Sequence, residues 1–191
     1  MTVVKALFFD LDGTLVDTHE ANYLAYKDAI AQVLGDVPVA DMLAQYISEG
    51  RSSKDFLPLV LSSVTPQQIV EINTVKKETY KNHASKTVLN EYLITFIKQF
   101  ASSLVIGLVT TAKRHNVETI LDAHGLHEYF DFIISGSDVS AMKPDPEAYN
   151  LALQKAGVSV DEALVFEDSE KGIQAAELAG LRVLHIKDFV L

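Results

Sequence analysis

Short apolar runs that alternate with helical stretches constrain the fold of this chain more than any other feature. From residue 104 onward the order repeats: a strand-like run at 104–109, a helix at 114–123 stopped by Gly125, and a strand at 132–134. A helix ending at Ala156 before Gly157 follows, then a strand at 163–166, a small-residue helix (Gly172, Ala175, Ala176, Ala179) closed by Gly180, and a strand at 182–186. Alternation of this kind is the signature of βαβ units, which build a parallel sheet. Residues 3–9 form one more such run, apolar and β-branched apart from Lys5, and suit a strand buried on both faces.

One block breaks the rule. Tyr23, Tyr26, Ile30, Val33 and Leu34 fall on one helical stripe, Gly35 to Pro38 interrupts it, and helices follow at 41–47 and 53–61, the second disturbed by Pro58. Thr65-Pro66-Gln67-Gln68 is a helix start, with Thr as N-cap, Pro in the first turn and Gln three residues on; that helix runs to about His83. Lys76, Lys77, Lys81 and Lys86 read as its solvated face. The expected architecture is therefore α/β: a Rossmann-like three-layer α/β/α core with a parallel sheet, formed by residues 1–17 and 85–191. A small α-helical cap, residues 18–84, is inserted after the first strand.

Bulk properties narrow the function. A chain of 191 residues holds one good core or a core with an insertion. The net charge of −10 argues against a surface built to grip nucleic acid or an anionic membrane, and a phosphorylated substrate would need a local island of positive charge. With no cysteine there is no disulfide, thiolate metal site or cysteine nucleophile. No apolar run approaches bilayer length, and no targeting leader is recognisable, so the expectation is a soluble cytoplasmic protein.

The chemistry gathers at strand ends. The first run ends in Asp10-Leu11-Asp12-Gly13-Thr14, which puts Asp10 and Asp12 on one face if strand geometry persists. Two carboxylates about 4 Å apart repel by roughly 4 kcal/mol at an effective dielectric near 20, so a cation, a proton or a basic side chain is needed beside them. Taken alone, the motif also reads as a polar turn; an EF-hand loop is disfavoured because Leu15 stands where that loop needs glycine. The other strand ends supply partners: Thr110-Thr111, Glu167-Asp168, and Lys143 after the third. Parallel strands share their carboxyl edge, so these residues are expected in one crevice. Carboxylate oxygens in that number suit Mg²⁺.

These four segments, in this order, resemble the motifs of the haloacid dehalogenase superfamily, in its phosphoglycolate phosphatase-like and β-phosphoglucomutase-like branch. The resemblance implies a phosphatase acting on a small phosphorylated metabolite through an aspartyl-phosphate intermediate. Asp10 would be the nucleophile and Asp12 the general acid and base; Thr110, Thr111 and Lys143 would hold the phosphoryl group; Mg²⁺ would sit on Asp10, the backbone carbonyl of Asp12 and Asp168, with Glu167 a ligand or a support behind it. The second acid, Asp12, argues against a dehalogenase proper. A sugar-phosphate mutase is the alternative, weakened because Asn22 stands where β-phosphoglucomutases carry a histidine. A catalytically silent binding protein on the same fold is another. In the cap, Gly50-Arg51-Ser52 resembles a substrate-selecting loop.

Overall fold

The computed structural model describes residues 3–49 and 51–187. After β1 (Ala6–Phe9) and the two-residue β2 (Val16–Asp17) come four helices: α1 (His19–Leu34), α2 (Leu43–Ser48), α3 (Ser53–Val60) and α4 (Pro66–Tyr80). A 3-10 segment at Lys81–Lys86 prolongs α4. Then follow β3 (Val88–Leu89), α5 (Glu91–Phe100), β4 (Val105–Val109), α6 (Arg114–His124), β5 (Phe132–Ile134), α7 (Glu147–Ala156), β6 (Ala163–Glu167), α8 (Glu170–Leu178) and β7 (Arg182–His185).

Two compact units result, one formed within Met1–Asp17 and Val88–Leu191, the other Thr18–Thr87. In the first, five parallel strands lie in the order β5-β4-β1-β6-β7. β1 is the central strand, and Phe9 stands opposite Leu108 on one side and Phe166 on the other. All four residues of β1 are buried, as a strand covered on both faces requires. Phe8 and Phe9 point to opposite faces. Phe8 and Val165 pack with Ala148, Tyr149 and Ala152 of α7 and Ala175 and Ala176 of α8, the four alanines letting the helices come close. On the other face Phe9 stacks on Phe166 at 4.4 Å between centroids, and Phe96 of α5 lies 5.7 Å from Phe166. The parallel sheet flanked by helices is the architecture that the alternation implies.

α5 is absent from the sequence reading. Its signal is nonetheless present: Asn90 caps it by accepting from Leu93 N, and Ile94 and Ile97, one turn apart, are buried. The antiparallel ribbon of β2 and β3, with Val16 opposite Leu89 and Asp17 opposite Val88, was equally silent in sequence because two residues carry no periodicity.

An ion pair joins the starts of two neighbouring strands. Lys5 N donates to Glu162 O at 2.7 Å, and its ammonium pairs with the Glu162 carboxylate. The Lys5 contact first, then Ser159, lowers the Glu162 carboxyl to about 2. A depressed acid contributes stability above its unfolded value near 4.5 and loses it as pH falls through the folded one. Glu162→Gln should therefore melt below the wild type at pH 7, with the gap closing progressively between pH 4.5 and 2; a gap independent of pH in thermal melts would refute the assignment.

The second unit packs Ala29 and Ile30 of α1, Leu43 of α2, Phe56, Leu57 and Val60 of α3 and Ile69 and Ile72 of α4 into its own core. The capping box at Thr65 and Gln68 is formed, with Pro66 in the first turn. This unit continues past Ala84 to Thr87, because the 3-10 segment carries the chain on and the Thr87 hydroxyl closes it on Ala84 O at 2.6 Å. Lys76 departs from the solvated-face reading that holds for the exposed Lys77, Lys81 and Lys86. It turns inward, donating to Asn22 Oδ1 at 2.7 Å with its ammonium 4.4 Å from the Tyr80 ring centroid. An aliphatic stem and a ring to cover the charge make such burial tolerable.

Candidate active site

The central strand delivers Asp10. β1 ends at Phe9, Asp10 N still donates to Phe166 O at 3.0 Å, and the Asp10 side chain enters a space that is nearly closed to solvent. Lys143 reaches the same point. Its ammonium donates to Asp10 Oδ1 at 2.7 Å, Glu167 Oε1 at 2.7 Å and Val109 O at 2.9 Å, which accounts for all three of its protons. Both ion pairs are buried, so each charge depends on its partners to repay the loss of water.

The charge count is uneven. Burial pushes the Asp10 carboxyl well above the usual carboxylate range; Lys143 opposes that rise, while the charges of Glu167 and Asp12 add to it. Burial would by itself depress the Lys143 ammonium, but Asp10, with Tyr149 and Glu167, holds it above its ordinary value. The site thus favours a further cation next to Asp10.

Glu167 and Asp168 arrive from the end of β6. Glu167 is wholly buried: Oε1 meets Lys143, and Oε2 accepts from Ser169 N at 2.8 Å and Ser169 Oγ at 3.1 Å. Asp168 is half-buried, and its Oδ1 accepts from the Thr14 hydroxyl at 2.8 Å. Burial first, then the Glu167 charge, raises the Asp168 carboxyl against the pull of Thr14. Asp10, Glu167 and Asp168 each offer an oxygen within 4.8 Å of the others, the one such group among the described residues. Hard carboxylate oxygens at that spacing fit Mg²⁺.

Two glycines make room for these acids. Gly13, at φ +88°, turns the chain after Asp12 in a conformation that side chains rarely adopt, and a Cβ there would meet the Asp168 carboxylate. A Cβ on Gly172 would occupy the place of the Glu167 carboxylate. Gly172→Ala should therefore cost more than about 2 kcal/mol by displacing a buried charge, read as a lower urea midpoint; an unchanged midpoint would contradict that packing.

Asp12 lies in the turn, not on a continuing strand. It is half-buried and bridges to Val16, so the period-two argument stops at Phe9, although its charge still acts on Asp10. Thr110, buried at the end of β4, accepts from Ala112 N through its hydroxyl at 3.0 Å. Thr111 is exposed. In the helical unit Arg51 meets its own loop: Nε donates to Glu49 Oε2 at 2.6 Å, and the guanidinium lies 4.5 Å from the Tyr46 ring centroid. Ser52 Oγ donates to Asp55 Oδ2 at 2.6 Å. Gly50 lies outside the described residues. Thr14, Ser169 and the Val109 carbonyl carry no role in the sequence reading; Ser169 follows Asp168 directly and Thr14 lies two residues past Asp12, so both could be suspected as local donors.

A family model described as haloacid dehalogenase-like hydrolase matches residues 7–186. The chain belongs to the haloacid dehalogenase-like hydrolase family. Within it, the chain is 32% identical over 190 residues to the phosphoglycolate phosphatase of Pectobacterium atrosepticum, covering 95% of this chain and 80% of that one. It is 26% identical over 182 residues to the fructose-1-phosphate phosphatase of Escherichia coli (strain K12), covering 95% of each. Among solved structures, CbbY from Rhodobacter sphaeroides in complex with phosphate superposes with a TM-score of 0.75 at 29% identity, over 95% of this chain and 85% of that one. No helix among the described residues is long and apolar enough to cross a membrane.

Proposed function

We propose that this chain hydrolyses the phosphoric monoester of a small metabolite in two steps, with Asp10 as the nucleophile, Mg²⁺ as the cofactor and the Thr18–Thr87 unit as a cap. The coarser statement, a haloacid dehalogenase-like phosphatase of phosphorylated small molecules, rests on the family and on the named phosphatases of similar length. The finer one rests above all on the buried contact of Asp10 with Lys143 at the end of the central strand.

In the first step an Asp10 oxygen attacks phosphorus, the ester P–O bond breaks, and Asp12 gives its proton to the departing alkoxide. In the second, Asp12 takes a proton from water, the resulting hydroxide attacks phosphorus, and the bond to Asp10 breaks to release inorganic phosphate. Thr110 spends an acceptor position on Ala112 N, which leaves its own O–H for a phosphoryl oxygen. Lys143 has its three protons on Asp10, Glu167 and Val109, so it serves the nucleophile before it serves the phosphoryl group. Mg²⁺ would be held by Asp10, Asp168 and the Asp12 carbonyl, and Glu167, engaged on both oxygens, suits a place behind them. Bound there, the ion supplies positive charge against which carboxylate and phosphate can approach.

The mutase alternative needs a proton carrier that Asn22 does not supply. Its amide donates to Thr18 O and Oγ1 at 3.1 Å each and accepts from Lys76 at 2.7 Å. A panel of phosphate esters, assayed for released phosphate with Mg²⁺ and with chelator, tests the proposal. Release should vanish with chelator and return with excess Mg²⁺; undiminished release in chelator would remove the cofactor, and no release on any ester would favour a silent binding protein. Isomerisation of a hexose 1-phosphate faster than its hydrolysis would favour the mutase.

A further inference from the structure

Tyr149 is a fully buried titratable side chain to which the mechanism above gives no task. It projects from the first turn of α7 and is the largest of the fully buried side chains. Its ring centroid lies 4.9 Å from Lys143 Nζ, within the range over which a ring face attracts an ammonium. Its hydroxyl, also buried, has no partner in hydrogen-bonding geometry. Burial holds the phenol well above its ordinary range, so the ring faces Lys143 uncharged. A buried tyrosine normally finds a partner for its hydroxyl. Here the contact that remains is the one with the ammonium.

The geometry points to Tyr149 as a positioning residue whose ring face keeps the Lys143 ammonium in its dry contact with Asp10 and Glu167. This rests on the reading of Asp10 as nucleophile. Lys143 stands between two carboxylates at equal distance, 2.7 Å to Asp10 and 2.7 Å to Glu167. Its three protons fix direction toward oxygen, but nothing in them favours Asp10 over Glu167 or keeps water from the remaining side of Nζ. A ring at 4.9 Å does the second: it fills that side with a surface water cannot wet by hydrogen bonding, and its negative face attracts the cation. Tyr149 would thus act through Lys143 without touching the substrate.

The consequence is separable into ring, hydroxyl and packing. Tyr149→Phe keeps the ring and should keep kcat within about twofold. Tyr149→Leu keeps an apolar filler without a π face and should lower kcat about 30-fold, the factor that a desolvated cation–π contact corresponds to, while KM moves less than about threefold. Ala152→Gly, one turn along α7 in the same core, serves as a control: it should lower the thermal midpoint and leave kcat unchanged. All variants are assayed on p-nitrophenyl phosphate with saturating Mg²⁺. Full kcat in Tyr149→Leu, or a loss in Tyr149→Phe equal to that in Tyr149→Leu, would overturn the inference. A kcat loss in Ala152→Gly matching its loss of stability would do so too. Turnover surviving in Asp10→Asn would instead overturn the functional reading, so the two failures are told apart.

Discussion

Asp10→Asn should reduce phosphate release by about 10⁴-fold or more, with the circular dichroism spectrum of the wild type retained. The amide has almost the same shape as the carboxylate, so the end of β1 need not move. It carries no charge with which to attack phosphorus, and the buried Glu167 beside it already spends both oxygens on Lys143 and Ser169. Stability should change little or rise, because burial already makes the charged form of Asp10 costly where it stands. Mg²⁺-dependent turnover surviving in this variant would remove the covalent step.

Lys143→Met should have the largest effect on stability. The side chain keeps its length but loses its charge, leaving Asp10 and Glu167 buried side by side with no counter-ion between them. Breaking a buried pair in this way costs about 3–5 kcal/mol. For a chain of this size that corresponds to a thermal midpoint lower by roughly 10 °C. Combining it with Asp10→Asn removes one of the stranded carboxylates, so the double variant should melt above Lys143→Met alone, a coupling that additive contributions would not give. A single variant melting within about 2 °C of the wild type would show that the ion pairs contribute little.

Much of the architecture was legible because it is written in periods. The apolar runs that became β4, β5, β6 and β7 are short, punctuated by Gly125, Gly157 and Gly180, and spaced by helical stretches. A parallel sheet then forces their ends to one edge, which is how Asp10 comes to meet Lys143, 133 positions further on, together with Glu167 and Asp168. What escaped was local or tertiary in origin. The bond between Thr14 and Asp168 spans 154 positions and depends on the close approach that Gly13 permits. Lys76 looks like its neighbours Lys77 and Lys81 in sequence, and only the packing of α4 on α1, with Tyr80 one turn further on, decides that it is buried. Likewise, the pairing of Arg51 with Glu49 cannot be told in sequence from an arginine held ready for an anion.

The ribbon of β2 and β3 has a consequence for how such a chain can change over generations. It pairs Asp17 with Val88, so the points where the chain leaves the sheet-bearing unit and returns to it are adjacent on one two-stranded clip. Paired residues on antiparallel strands stand only about 5 Å apart. The closure of the intervening segment is thus already fixed, and its entropic cost grows only with the logarithm of its length. Helices can be lengthened, lost or exchanged between Thr18 and Thr87 while the register of β1 with β4 and β6 stays as it is. On the proposed function, a cap that chooses the substrate could drift while the residues at the end of β1 stayed as they are.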